Sequence, residues 1–298
     1  MELAFHLRDP GQVEKLNEFP RHLLDFYDGV SLREKDWIEG IPQSLDRIYI
    51  GDEFCFNRLP SLGELDRLYQ FAEKKGLGVT FLTPPLTDEG LERSTPLLDY
   101  LKERDPRTEV VVNDWGVLSF LNERYPLFQL AIGRLLNKGF KDPRLLDANE
   151  ASLFSEETEE LLNNSTFDSV DFQEKMLELK VTRLERDLLP YGEHKIESHP
   201  QLETSIYFPF GYITTGRVCW IASFKQSAKE KFAPLMRCAR FCNALTLKLN
   251  SDKFSFQLFQ GGNTVFYLYT PSMLDSLIKG AKRKNFRLVY QGLAIGVS

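Results

Sequence analysis

Short runs of β-branched and aromatic residues alternate along this chain with longer stretches in which apolar residues recur every three or four positions. LAFHL, DRIYIG, LGVTFLT, TEVVVND, FQLAIG, VTRLERD, TSIYFPFG and FRLVYQG predict eight strands. Between the early ones, PGQVEKLNEFPRHLLDF, SLGELDRLYQFAEKKG, TDEGLERSTPLLDYLKERD and GVLSFLNERYP predict helices. The second carries its own punctuation: Ser61 and Glu64 form a capping box, Leu65, Leu68 and Phe71 share a face, and Gly76 ends the run. Repeated strand-then-helix order calls for parallel strands joined by right-handed crossovers. It predicts an α/β fold, a (β/α)8 TIM-like barrel in a single domain over residues 1–298.

Two stretches break the alternation. Leu145 to Phe172 is acidic and rich in Ser and Asn, and predicts a surface excursion before the helix FQEKMLELK. Residues from about 218 to 270 predict a cysteine-bearing insertion, in which Gly261, Gly262 and Asn263 turn an extra β-hairpin near the C-terminus. FPFGYITTG, just before it, has two readings: a stretch whose glycines let backbone approach a bound group, or simply a turn leaving the barrel.

Composition narrows the function. A net charge of -6 and a pI near 5.5 disfavour a general nucleic-acid binder without excluding a local nucleic-acid contact. The basic stretch KGAKRKNFR reads as the solvated end of a helix. With a mean hydropathy of -0.30, and no run approaching the roughly 18 apolar residues of a membrane span, the chain is expected to be water-soluble. MELAFHLRDPGQ lacks the basic and hydrophobic regions of a secretion signal, so the expected location is cytoplasmic.

The chemistry concentrates in four cysteines. Cys219, Cys238 and Cys242 have the spacing C-x18-C-x3-C, and Cys55 follows the strand DRIYIG far upstream. Loops after barrel strands emerge at one face, so Cys55 and the late trio can converge. Four thiolates suit zinc or an iron-sulfur cluster, and the isolated first ligand fits a wide cluster better than the two close pairs of a zinc ribbon. The bland alternative is four unrelated buried thiols, while disulfides are disfavoured in a cytosolic chain. His6, His22, His194 and His199 are scattered, and HExxH and GxSxG are absent. Neither zinc nor serine hydrolysis therefore has a local signature.

Polar residues at the strand ends supply candidates for a pocket: Asp52, Glu53, Asn113, Asp114, Arg134, Glu185 and Asp187. Asn113, Asp114, Arg134 and Glu185 are the substrate-binding candidates, and the planar fork of Arg134 suits a carboxylate. Trp115 reads as a filler between barrel and helix, and Arg183 or Arg186 as surface partners of Glu185. No catalytic residue is singled out.

RIYIGDEFCFNR around Cys55, EVVVNDWGVL from Glu109, AIGRLLNKGFKDPR from Ala131 and YFPFGYITTGRVC ending at Cys219 carry a likeness across most of the chain. On these residues the chain resembles the U-thirty-two family of collagenase-like peptidases, in particular the subgroup around the iron-sulfur accessory proteins of anaerobic ubiquinone biosynthesis. The resemblance implies a barrel and a 4Fe-4S cluster on Cys55, Cys219, Cys238 and Cys242, with zinc the lesser alternative. It also implies a part in oxygen-independent hydroxylation, in quinone biosynthesis or RNA modification, with prephenate as a small carboxylate partner. Two alternatives follow from the same family: a non-catalytic subunit paired with a paralogous barrel in a heterodimer, and a collagenase-like peptidase.

Overall fold

The computed structural model describes residues 1–7, 11–13, 16, 23–27, 37–142, 155–190, 199–224, 226–231, 238–250 and 256–293. The predicted first helix lies largely outside the described residues, as do 145–154 of the acidic excursion, 225, 232–237 and 251–255 of the insertion, and His22 and His194.

In chain order the described strands are β1 (Glu2–Leu7), β2 (Arg47–Gly51), β3 (Gly78–Thr83), β4 (Glu109–Val112), β5 (Gln129–Ile132), β6 (Val181–Arg186), β7 (Glu203–Phe208), β8 (Phe210–Thr215), β9 (Leu247–Leu249), β10 (Leu258–Gly261), β11 (Thr264–Leu268) and β12 (Arg287–Gln291). All eight predicted strands are present, as β1 to β7 and β12. They close a parallel barrel in the order β1-β12-β7-β6-β5-β4-β3-β2. The helices pack outside: α1 (Leu62–Lys75), α2 (Asp88–Arg104), α3 (Trp115–Arg124), α4 (Glu156–Asn163), α5 (Val170–Glu178), the single turn α6 (Trp220–Ser223) and α7 (Pro271–Lys284). No helix among the described residues is long and apolar enough to cross a membrane.

Local chemistry sets the boundaries. The Ser61 hydroxyl accepts from the Glu64 amide while the Glu64 carboxylate accepts from the Ser61 amide, and Gly76 ends α1 at φ 67°. Apolar side chains on the outward faces of the strands, such as Ile48, Phe81 and Val110, meet Leu65, Leu98 and Leu121 of the helices. Inside the barrel, Ala4, Tyr49, Leu82, Val111, Ala131, Tyr207 and Val289 form a separate packed layer.

The insertion differs from its sequence reading. FPFGYITTG does not leave the barrel as a turn. After Pro209 it runs on as β8, so the departure begins at Phe210. The predicted hairpin, β10 with β11, belongs to a four-stranded antiparallel sheet in the order β8-β11-β10-β9. Gly211 disguised the strand, yet it is there for close packing: a Cβ at that position would lie 2.3 Å from the Tyr267 ring.

At the N-terminal ends of the strands a buried ion network plugs the barrel. The Glu109 carboxylate accepts from Arg183, Arg287 and the Thr80 hydroxyl, and Glu2 accepts from Arg47 and Arg287. Burial alone would push the Glu109 carboxyl up, but Arg287, Arg183 and Arg47 hold it down at about 2. KGAKRKNFR therefore divides. Lys282, Arg283 and Lys284 occupy the last turn of α7, whereas Arg287 is buried in this network.

Glu109→Ala takes from Arg183 and Arg287 the buried carboxylate they share, leaving them the more exposed Glu203 and Glu2, and is expected to cost about 3–5 kcal/mol in a urea unfolding curve at pH 7. Because its folded pKa lies below the ordinary 4.5, the Glu109 contribution is present above pH 4.5 and lost as pH falls toward about 2.

Candidate functional site

The four cysteines arrive from three segments of chain. Cys55 lies in the turn after β2, directly before a 3-10 turn at Phe56–Arg58. Cys219 precedes α6, and its Sγ accepts from the Ala222 amide at 3.4 Å. Cys238 Sγ accepts from the Arg240 amide at 3.3 Å, and Cys242 is buried in a 3-10 turn at Phe241–Asn243. None is in a disulfide. Cys242 acts electrostatically on both Cys55 and Cys219, and Cys238 acts on Cys219, so the three segments approach one another. Among the described residues no three His, Cys, Asp or Glu side chains are grouped to hold one metal ion.

Two side chains without thiols cross between these segments. Arg240 donates from Nε to the Asn57 carbonyl and from Nη2 to the Leu59 carbonyl, each at 2.7 Å. Asn263, in the turn between β10 and β11, donates from Nδ2 to the Phe54 carbonyl at 2.9 Å and to the Gly216 carbonyl at 2.6 Å. The Cys55 turn is fixed from below by Asp52, whose Oδ1 accepts the amides of Phe54 and Cys55, both at 2.8 Å, and whose Oδ2 pairs with Arg58 at 3.2 Å. Burial, and then the Asp52 carboxylate, push the Cys55 thiol up to about 12, with Arg58 opposing. Burial also raises Cys219, and Cys242 and Cys238 add to the shift. A metal cation displacing the protons would reverse these costs.

Beside the thiols, the barrel mouth is organised around Arg134, which is fully buried. Its Nε and Nη2 donate to the two Glu53 oxygens at 3.1 and 2.5 Å, its Nη1 to Asp187 at 2.6 Å, and its Nη2 to Gln291 at 3.0 Å. The guanidinium stacks 3.6 Å from the centre of the Tyr207 ring. Lys141 reaches Asp187 from the other side at 3.1 Å, and burial lowers its amine to about 8 against the pull of that carboxylate. The Arg134 fork expected to receive a substrate carboxylate is thus filled by two protein carboxylates.

The other candidates separate. Asn113 bridges the Thr83 carbonyl and the Leu135 amide, and Asp114 caps α3 through the amides of Gly116 and Val117. Both shape the mouth. Glu185 lies inside the barrel, accepting from the Tyr49 hydroxyl at 3.0 Å. Neither Arg183 nor Arg186 is its surface partner. Arg183 pairs with Glu109, Arg186 pairs with Asp168, and both arginines are buried. The strand alternation explains this: Arg183 and Glu185 share the inward face while Arg186 points out toward the α5 side. Trp115 is not a core filler but 48% exposed, its ring edge meeting Phe172. Lys141, Arg240 and Gln291 went unremarked in the sequence, and Asn263 was read there only as part of a hairpin turn. Only the position of Arg240 between Cys238 and Cys242 could have drawn attention to one of them.

No family model matches the chain, and no curated protein does. Among solved structures it is similar to that of the U32 peptidase Mk0906, at 13% identity and a TM-score of 0.37, over 70% of this chain and 68% of that one.

Burial raises the Glu185 carboxyl from 4.5 to about 7, with Arg287 opposing and Glu109 adding. A raised folded pKa means stability that is full below pH 4.5 and falls as pH rises through about 7. Across that window Glu185 is expected to cost about 3 kcal/mol. Glu185→Gln, which cannot ionise, should remove that slope from the pH dependence of urea unfolding; parallel profiles would show that the carboxyl is not held neutral.

Proposed function

We propose that this chain is an iron-sulfur barrel protein in which Cys55, Cys219, Cys238 and Cys242 hold a 4Fe-4S cluster. It takes part in oxygen-independent hydroxylation or related redox chemistry on an aromatic or nucleobase substrate. The observation that carries this reading is that the turns bearing the four cysteines, from three distant segments, are held against one another with none of the thiols in a disulfide. The donor set fits: soft sulfur, with backbone amides of Ala222 and Arg240 directed at two of the sulfurs, is the surrounding such a cluster takes. When bound, the cluster would supply one-electron chemistry at the barrel mouth.

The chain's own residues have separate tasks. Amide donors to Cys219 and Cys238 stabilise negative charge on those sulfurs. Arg58 offsets charge at Cys55, and Asp52 orients the turn that presents it. Arg134 spans the mouth between Glu53 and Asp187 and acts there as an organiser. A dicarboxylate such as prephenate would have to displace one of those acids to reach it.

The test is anaerobic purification followed by iron, acid-labile sulfide and visible absorption, on wild type and Cys55→Ala. About four irons and four sulfides per chain, with a broad visible band, are expected in wild type and a marked loss in the variant. Zinc in their place would make the site structural. Protein free of any metal, with casein cleavage lost on changing one cysteine, would replace this reading by a cysteine peptidase. A cluster-loaded chain that turns over only with a paralogous barrel would be a partner subunit.

A further inference from the structure

No disulfide joins the three cysteine-bearing segments, and each is a turn at the end of an element. Left to themselves, turns of this kind hold no fixed separation, and a bound metal would have to order them at an entropic cost. Two side chains remove that freedom. Arg240 sits at φ 54°, in the left-handed region, between Cys238 and Cys242. That conformation, uncommon for a residue with a Cβ, bends the short segment so that its guanidinium returns to the Cys55 turn. There two of its nitrogens bind the carbonyls of Asn57 and Leu59, and Nη1 lies 3.5 Å from Glu64, the acid of the α1 capping box. The segment holding two thiols is thereby anchored to the turn holding a third.

Asn263 closes the other side. One side-chain NH2 group has two hydrogens, and here each serves a different segment: the Phe54 carbonyl next to Cys55, and the Gly216 carbonyl three residues before Cys219. The neighbouring Gly262, at φ 70°, lies directly over Cys242, where an added Cβ would stand 3.5 Å from the Cys242 Cβ. The hairpin turn thus touches all three segments at once. Its register is set by the β10 and β11 ladder, from Leu258 opposite Tyr267 to Gly261 opposite Thr264.

We propose that Arg240 and Asn263 are positioning residues of the thiol site, holding its three segments in place before any metal arrives. The proposal rests on the thiol-site reading above and adds to it that the site is built by the protein and not by its cofactor. Arg240 contributes charge-assisted bonds to two carbonyls at once, a geometry that a lysine reproduces only in part. Asn263 contributes a planar pair of donors that aspartate, an acceptor only, cannot supply.

The experiment uses a short bifunctional maleimide on the full chain after chelation, with the cross-linked cysteines identified by peptide mapping. Wild type is expected to give Cys55 joined to Cys238, both half-buried thiols, as its main cross-link. Arg240→Ala and Asn263→Asp should do so about tenfold more slowly, the loss of one to two part-buried hydrogen bonds read as a population of the closed arrangement. Circular dichroism and the thermal midpoint establish that the barrel is intact in each variant. If Arg240→Ala does not fold, Arg240→Lys is read in its place, and a rate between wild type and Asn263→Asp supports the proposal. Cross-linking at the wild-type rate in folded variants overturns it. In protein that holds iron, release to a chelator should also be about tenfold faster in both variants. Cross-linking needs no metal, so a wild type without iron would sink the cluster reading and leave this result standing. Iron retained alongside unchanged cross-linking would sink the positioning role alone.

Discussion

A single guanidinium, that of Arg134, organises the upper half of this molecule. It is buried without any contact with solvent, and such a charge is tolerated only when its donors are matched. Here they are matched from every side of the barrel: Glu53 follows β2, Asp187 follows β6, Gln291 ends β12, and Tyr207 on β7 offers its ring face. Arg134 itself follows β5. One residue therefore ties together strand ends that the backbone ladder joins only through their neighbours, and removing either acid would leave this buried charge with one carboxylate partner in place of two.

The thiol site inherits its position from that interaction. Glu53 is held by Arg134, its neighbour Asp52 is held by Arg58, and the same aspartate fixes the amides of Phe54 and Cys55. Two consecutive acids thus fasten one turn to the barrel in opposite directions. The second sheet leaves from the top of β7 and folds back over the rim, and the Phe54 ring packs against Tyr212 and Phe266 of that sheet. The Cys55 turn is consequently a joint between barrel and sheet. This is why a cysteine far upstream stands beside three that come after β8.

The barrel was legible because its evidence is local. Eight short runs rich in β-branched and aromatic residues, and the Ser61, Glu64 and Gly76 signals, need only neighbouring residues to be read. The meeting of Cys55 with the late trio was also accessible, since a parallel barrel puts every strand's C-terminal end on one face. What stayed hidden depends on partners far away in sequence. Arg134 looked like an open fork because Glu53 and Asp187 lie 81 and 53 residues distant. Phe210–Thr215 looked like a turn because Gly211 breaks its pattern, and the reason for that glycine, the Tyr267 ring, lies on another strand. Arg183 and Arg186 looked like surface partners of Glu185 because charge in sequence does not reveal which face of a strand is enclosed.

The direction of the electrostatics bears on which chemistry these thiols perform. A cysteine nucleophile needs its thiolate favoured, by a nearby cation, a histidine or a helix N-terminus. Around Cys55 the balance runs the other way: burial and Asp52 both oppose ionisation, and Arg58 is largely committed to Asp52. Cys219 is likewise raised by burial, with the Ala222 amide opposing, and its thiol neighbours add to the shift, since each anion formed would repel the next. Mutual repulsion is a defect in a set of nucleophiles. In a ligand set it is the feature that a cationic centre relieves, because every added thiolate then binds the metal that pays for it.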